Sequence, residues 1–413
     1  MYQLRDYQQD AVREGIDHLL TFGKPFVLQL ATGAGKSLVI ADICHKIDEP
    51  ILILQPNKEI LEQNYLKLIS YDPMIQAGIY SASMGRKEIA KFTFATIGSI
   101  YKKPEQFKHF KYVIIDECHG VDPKNLTGML TTFLKAIDCK NVCGLTATPY
   151  RITPKYEWRD GYLTAVASLK MITRIATKTS QPFFRKIVYQ VETQELIERG
   201  YLSPIQYFID PISDEEAGQL IVNSTGADYT ASSLEKFWNT KRLRRIAQAI
   251  EYSETHNKRS LVFCSSISQA RNAMALVNGM GIEAKIVTGE TPIKERTQIV
   301  EDYKAGKFKH LFNVGVFTTG FDVPALDCIV MARPTMSLAL YYQMIGRGVR
   351  LDPDNPDKVL QVYDLVGVVE RLGRVETIRV TTEPNGYKNI VMTERGRVDD
   401  VPLYRFKVSR GVK

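Results

Sequence analysis

Short runs with almost no polar residue in them narrow the fold of this chain more than any other feature. Residues 26–30 (FVLQL), 50–54 (PILIL), 112–115 (YVII), 260–263 (SLVF), 310–316 (HLFNVGV) and 328–331 (CIVM) are rich in Ile, Leu, Val and Phe. A strand with one wet face alternates apolar and polar residues, whereas a run without alternation is buried on both faces, the habit of parallel sheets. Helical patterns such as 58–69 and 234–252 lie between the runs. Strand–helix alternation predicts an α/β fold with right-handed crossovers.

The alternation fills two blocks, about 1–150 and 259–370. Between them, residues 151–210 read as long mixed helical segments, the phrase ELIERGYLSP at 195–204, and a strand at Ile205–Ile209 bracketed by Pro204 and Pro211. From Arg371 onward Thr, Val and Arg alternate, and Pro384-Asn-Gly386 predicts a hairpin turn. At about 150 residues per domain, 413 residues hold two or three domains. The expected division is 1–200, 201–370 and a basic β-rich tail, 371–413.

The segment Ala31-Thr32-Gly33-Ala34-Gly35-Lys36-Ser37 follows the first apolar run and precedes a helical pattern at 38–46. Glycines there let successive backbone N–H groups turn inward around phosphate oxygens, at a helix N-terminus whose dipole favours anions. Lys36 would reach the outer phosphates and the Ser37 hydroxyl would bind Mg²⁺. Leu30 stands where the strict pattern has its first Gly. Downstream, four apolar residues run into Asp116-Glu117-Cys118-His119, which places Asp116 at a strand end toward the metal and Glu117 beside the attacking water. The other reading of these segments is a glycine-rich turn and a solvated carboxylate pair capping a helix.

The second block has no GK[ST] loop of its own, but it contains Gln343-Met-Ile-Gly-Arg347-Gly-Val-Arg350. Arginines three apart share one face of a helical turn, and a planar guanidinium suits charge building on a γ-phosphate. Arginines from a second domain would make hydrolysis depend on closure, the basis of a mechanical cycle.

With these segments in order, the chain resembles a superfamily 2 helicase. That resemblance implies two tandem RecA-like domains with the ATP site in the cleft between them. Arg5-Asp-Tyr-Gln8 resembles the adenine-reading segment, with Arg5 and Gln8 as nucleotide contacts. Residues 31–37 resemble motif I, in which that superfamily often replaces the first glycine. Residues 55–59 (QPNKE) and 94–96 (FAT) resemble motifs Ia and Ib, and 116–119 is motif II in a DECH form. Leu145-Thr146-Ala-Thr148-Pro149 resembles motif III, which couples hydrolysis to domain movement, and His119 would join Thr146 and Thr148 in that coupling. Residues 262–265 (VFCS) resemble motif IV. Thr318-Thr-Gly320-Phe-Asp322-Val-Pro324 resembles motif V, with Gly320 and Asp322 by the nucleotide and Thr318 by the backbone of the nucleic acid. Gln343 to Arg350 matches motif VI, in which Arg347 and Arg350 would be arginine fingers. The DECH, TGFDVP and QMIGRGVR segments together resemble the bacterial RadD-like and XPB-like branch and the motor subunits of type I and III restriction enzymes.

The resemblance also places a nucleic acid across Lys58, Thr96, Ser99, Thr288 and Thr318, held through phosphates without regard to sequence. Taken singly, each Ser or Thr reads first as a local cap or turn and only second as a phosphate contact. Net charge is +8, and the segment 371–413 holds ten Lys+Arg against five Asp+Glu, so this tail reads either as a duplex-facing hairpin or as a solvated rim. The six cysteines, Cys44, Cys118, Cys139, Cys143, Cys264 and Cys328, form no CxxC pair, which argues against a zinc ribbon. Residues 1–10 lack the apolar core of a targeting signal, no run is apolar enough to span a membrane, and a reduced, cytoplasmic protein is expected.

Three functions stay open: an ATP-driven DNA helicase or duplex translocase, an RNA helicase, and an ATP-gated subunit whose protein partner does the chemistry in a repair or restriction complex. Gln343 stands where DEAD-box RNA enzymes carry His, which tilts the balance toward DNA.

Overall fold

The computed structural model describes residues 2–121, 128–159, 162–173, 182–223, 228–316, 323–384 and 388–399. Its contacts divide the chain into two units. Unit 1 comprises 1–151, 170–195 and 380–390, and unit 2 comprises 152–169, 196–379 and 391–413.

Unit 1 is built on a sheet of eight strands. In chain order seven of them are β1 (Phe26–Leu30), β2 (Ile51–Gln55), β3 (Ala77–Ser81), β4 (Arg86–Lys87), β5 (Phe92–Thr96), β6 (Tyr112–Asp116) and β7 (Asn141–Thr146). After a two-stranded ribbon of β8 (Tyr150–Arg159) and β9 (Tyr162–Met171), β10 (Ile187–Val191) completes it. The spatial order is β10-β1-β7-β6-β2-β5-β3-β4, and every pairing is parallel except β3 with β4. All five residues of β1 and of β2 are buried, as unalternated runs require. A fully buried Leu, Ile or Val contributes about 1.5–3 kcal/mol. The helices α1 (Asp6–Thr21), α2 (Lys36–Lys46) and α3 (Lys58–Tyr71) pack α1 on α2 and α2 on α3. Because the strands run parallel, the segments following β1, β2, β5, β6 and β7 all leave the same edge of the sheet, where ligands of open α/β sheets bind.

Unit 2 carries six strands, all parallel: β11 (Ile205–Ile209), β12 (Ser260–Cys264), β13 (Ala284–Thr288), β14 (His310–Val314), β15 (Cys328–Ala332) and β16 (Leu360–Asp364), in the order β11-β16-β15-β12-β14-β13. A three-stranded sheet follows, with β17 (Arg379–Thr382), β18 (Asn389–Thr393) and β19 (Gly396–Arg397) in that order. Strands β17 and β18 are thus neighbours, as a hairpin at Pro384–Gly386 requires, while residues 385–387 of that turn lie outside the described residues.

Three local expectations are corrected. Tyr150–Arg159 and Tyr162–Met171 form a β-ribbon rather than helical segments, consistent with the β-branched and aromatic residues Tyr150, Ile152 and Thr153 that open it. The pattern at 234–252 is two helices, Ala231–Phe237 and Thr240–Thr255, because the Asn239 side chain accepts from Arg242 N at 3.1 Å and starts the second afresh. Arg347 and Arg350 do not share a helical turn. The helix Leu338–Ile345 ends with Gly346 as its C-cap, and both arginines follow it. Among the described residues, no helix is long and apolar enough to cross a membrane.

Candidate nucleotide site

The loop 31–35 joins β1 to α2 within unit 1. Gly33 and Gly35 have φ of 85° and 79°, and Gly35 is the N-cap of α2. At Gly35 the left-handed backbone disfavours any side chain, and a Cβ there, 2.5 Å from Gln8 Nε2, would push that amide aside. Gln8 Nε2 donates to the Ala34 carbonyl at 2.8 Å, and the Tyr7 hydroxyl donates to the same oxygen at 3.0 Å. Gln8 Oε1 accepts from Arg5 N at 2.9 Å. Arg5 and Gln8 therefore come together with the loop, and the start of α1 holds its underside through Ala34. Thr32, Gly33 and Lys36 stay partly open to solvent.

Strand β6 ends at Asp116, and the next residue, Glu117, has φ 48° and ψ 47°. A non-glycine residue in this left-handed region costs on the order of 1–2 kcal/mol and persists only where its surroundings enforce it. Packing beneath the turn supplies that enforcement. On β7, a Cβ at Gly144 would stand 2.7 Å from Cys118 Sγ, so only glycine lets the turn settle onto the neighbouring strand. The turn aims Glu117 at Lys36, with Nζ to Oε1 at 3.3 Å. On the other side, His119 Nδ1 lies 3.2 Å from Glu117 Oε2, 3.0 Å from Thr146 Oγ1 and 3.4 Å from Thr148 Oγ1. Motifs I, II and III thus meet through side chains.

A second chain of hydrogen bonds runs through Asn64 of α3. Ser37 Oγ donates to Asn64 Oδ1 at 2.6 Å, and Asn64 Nδ2 donates to Asp116 Oδ2 at 2.8 Å and to Gln55 Oε1 at 3.0 Å. Ser37 and Asp116, the two residues expected to hold a metal, converge on one amide. Their hydroxyl and carboxylate oxygens fit Mg²⁺, a hard cation that takes oxygen ligands. Asn64, Tyr7 and Gly144 are absent from the sequence reading. Asn64 left one signal: it is a buried polar residue on the apolar stripe of α3, between Leu61 and Leu68.

Burial, and then the neighbouring Glu117 charge, pushes the Asp116 carboxyl up to about 6. Burial works in the same direction on Glu117, but Lys36 and His119 outweigh it and hold that carboxyl well below the usual range. One carboxylate of the pair is thus committed to its charge, and the other is held in an environment that a cation would relieve.

The remaining sequence candidates separate. Lys58 opens α3, 4.0 Å from Glu59 Oε1. Thr96 Oγ1 and Ser99 Oγ lie 2.8 Å apart, and Ser99 Oγ also accepts from Ala82 N at 2.9 Å, so both hydroxyls hold the loop after β3. A cavity of about 440 Å³ connects these segments with the carboxylates, lined by Gln55, Pro56, Ile97, Asp116, Glu117 and Arg151 among others. In unit 2, Thr288 is buried at the end of β13 and accepts from Glu290 N at 3.1 Å. Gln343 lies on the helix Leu338–Ile345, and Arg347 and Arg350 follow it, all three half-buried. Thr318, Gly320 and Asp322 lie outside the described residues.

Residues 1–151 match the family model "Type III restriction enzyme, res subunit", and 241–352 match "Helicase conserved C-terminal domain". The putative ATP-dependent helicase IRC3 of Saccharomyces cerevisiae is 27% identical over 370 residues, covering 84% of this chain and 49% of the relative. The DNA 3'-5' translocase XPB2 of Sulfurisphaera tokodaii is 24% identical, covering 84% of this chain and 79% of the relative. The ATP-dependent DNA helicase uvsW of Enterobacteria phage T4 is 23% identical, covering 87% and 68%. This chain spans about half the length of its yeast relatives, 49% and 56%. Among solved structures, the type ISP restriction-modification enzyme LlaBIII superposes with a TM-score of 0.63 at 17% identity, covering 87% of this chain and 27% of that one. A type I restriction HsdR fragment from Vibrio vulnificus gives 0.61 at 19%, covering 90% and 66%. At such identities these two likenesses speak for the fold.

Proposed function

Because the chain belongs to the superfamily 2 helicases, with two RecA-like domains, we propose that it is an ATP-hydrolysing motor that moves along or remodels DNA. The observation that carries this reading is the meeting of Lys36, Glu117 and His119 beside the Ser37–Asn64–Asp116 chain. In it, backbone N–H groups of the loop 32–37 cradle the phosphates and Lys36 draws the γ-phosphate toward the carboxylates. Ser37 and Asp116 would hold Mg²⁺, which when bound would supply charge neutralisation on the phosphates. Glu117, kept ionised, accepts the proton of the attacking water. Arg347 and Arg350 stabilise the charge leaving with the γ-phosphate, and Gln343 orients that water or the phosphate beside them. Gly320 and Asp322 flank the nucleotide. His119, Thr146 and Thr148 relay the state of Glu117 to the domain movement. Lys58, Thr96, Ser99, Thr288 and Thr318 contact the nucleic-acid backbone, and a protein partner in a repair or restriction assembly and a cytoplasmic setting belong to the same reading.

The test is ATPase rate across single-stranded, duplex, forked and branched DNA and matching RNA. DNA stimulation that Lys36→Ala and Glu117→Gln abolish is expected, with a loss of about 10²–10⁴-fold. Stimulation by RNA in place of DNA would instead favour the RNA reading, which the name of a 28% identical African swine fever virus relative, a putative ATP-dependent RNA helicase, also carries. No stimulation by any nucleic acid overturns the motor reading.

A further inference from the structure

Unit 2 contains a buried lysine that the nucleotide chemistry above does not use. Lys358 is 2% exposed, and its ammonium donates to the Pro324 carbonyl at 2.6 Å and to the Arg350 carbonyl at 2.8 Å. Pro324 closes the segment assigned to motif V, and Arg350 closes motif VI. Ser203 adds to the grip: its hydroxyl donates to the Arg350 carbonyl at 3.1 Å, and its N–H donates to the Val349 carbonyl at 2.7 Å. A buried ammonium is costly unless its donors find acceptors. Here the acceptors are two main-chain oxygens from segments some 26 residues apart, both next to candidate nucleotide contacts. A lysine serving only to fill space could be an apolar residue at lower cost.

We propose that Lys358 is a positioning residue that pins the end of motif V to the backbone of Arg350 and so sets the arginine side chains for hydrolysis. The inference rests on the reading of Arg350 as a catalytic arginine. Lys358 does not touch the nucleotide; it acts through the main chain of a residue that does. Its charge has a narrow margin. Burial lowers its pKa to about 8, with Asp327 and Asp352 favouring the charged form and Arg350 and Lys258 opposing it. A neutral amine keeps two N–H donors but makes weaker hydrogen bonds to both carbonyls. Turnover should therefore fall as pH rises through about 8, while nucleotide binding at the unit 1 loop does not.

The experiment uses the full chain with DNA-stimulated ATPase, fluorescent ADP binding and thermal melting. Lys358→Met should lower kcat by about tenfold or more at unchanged KM and ADP affinity, and Lys358→Arg should restore part of kcat and move the alkaline loss to higher pH. In a double-mutant cycle, Lys358→Met should cost nothing further once Arg350→Ala is present. Full activity of Lys358→Met, or additive losses, overturns the inference. Full activity of Arg350→Ala overturns the motor reading it rests on and leaves a different signature. Should Lys358→Met fail to fold, the wild-type profile decides: a kcat flat from pH 7 to 9.5 overturns the proposal.

Discussion

The two units share a parallel-sheet plan but treat their strand ends differently. At the carboxyl edge of unit 1, side chains from four separate segments meet one another: Lys36 with Glu117, Glu117 with His119, His119 with Thr146 and Thr148, and Ser37 with Asp116 through Asn64. Around the strand ends of unit 2, at the amino ends of β11 and β16 as well as at the carboxyl edge, side chains mostly hold main chain. Lys358 and Ser203 grip the Arg350 carbonyl, Gln269 Nε2 donates to the Ala332 carbonyl at 2.8 Å, and Asp364 accepts from Val366 N and Val369 N at 3.1 and 2.7 Å. A region that must bind a ligand needs functional groups converging on a point. A region that must present one group at a fixed place needs its backbone immobilised. The first unit has the form of a binding site, and the second that of a mount.

That contrast is open to attack in order of effect. Arg350→Ala should lower kcat by about 10³-fold or more with nucleotide affinity unchanged, measured by steady-state ATPase and fluorescent ADP titration. A large loss of affinity would show that Arg350 grips the bound nucleotide as well as the transition state, and that unit 2 is more than a mount. Asn64→Leu, which keeps the size of the side chain but removes the amide joining Ser37 to Asp116, should weaken Mg²⁺-dependent nucleotide binding by about 10–100-fold. Metal titration of ADP binding reads this directly, and binding without Mg²⁺ should change far less. Gly144→Ala, which forces the motif II turn off β7, should destabilise unit 1 by about 1–3 kcal/mol and lower its melting transition, leaving that of unit 2 in place. Lys58→Ala should reduce the salt dependence of DNA binding by about one unit of slope, with a similar loss for every sequence.

Much of this architecture was legible because parallel strands need apolar residues on both faces and phosphate loops need glycine. Strands at Phe26–Leu30 and Ile205–Ile209 stand where the sequence pattern puts them. The acidic pair was legible for the same reason: four apolar residues before Asp116, three of them buried, mark a strand end. Features that depend on tertiary contact were not. Asn64 lies in a helix whose local pattern reveals nothing of Asp116, fifty-two residues away. Lys358 reads as an ordinary surface charge until the chain folds over it. The ribbon at 150–171 misled because its mixture of Lys, Glu and Ala carries as much helix propensity as its Thr, Tyr and Val carry for strands.

The division of the chain has a practical side. Residues 380–390 belong to unit 1 although those on either side belong to unit 2. There, Val380 N donates to Glu192 Oε1 at 3.1 Å, the Val380 carbonyl accepts from Gln190 Nε2 at 3.3 Å, and Asn389 Nδ2 donates to Thr173 Oγ1 at 3.4 Å. One of these partners, Gln190, lies on β10 and Glu192 directly follows it; β10 is the edge strand of the large sheet, where exposed backbone invites pairing with other chains. No single cut can therefore free the first unit intact. A gene fragment ending near residue 195 would lack a distant piece of its own domain and leave a raw sheet edge, whereas supplying 380–390 in trans, or splicing it on through a short linker, would make the half-protein a tractable reagent.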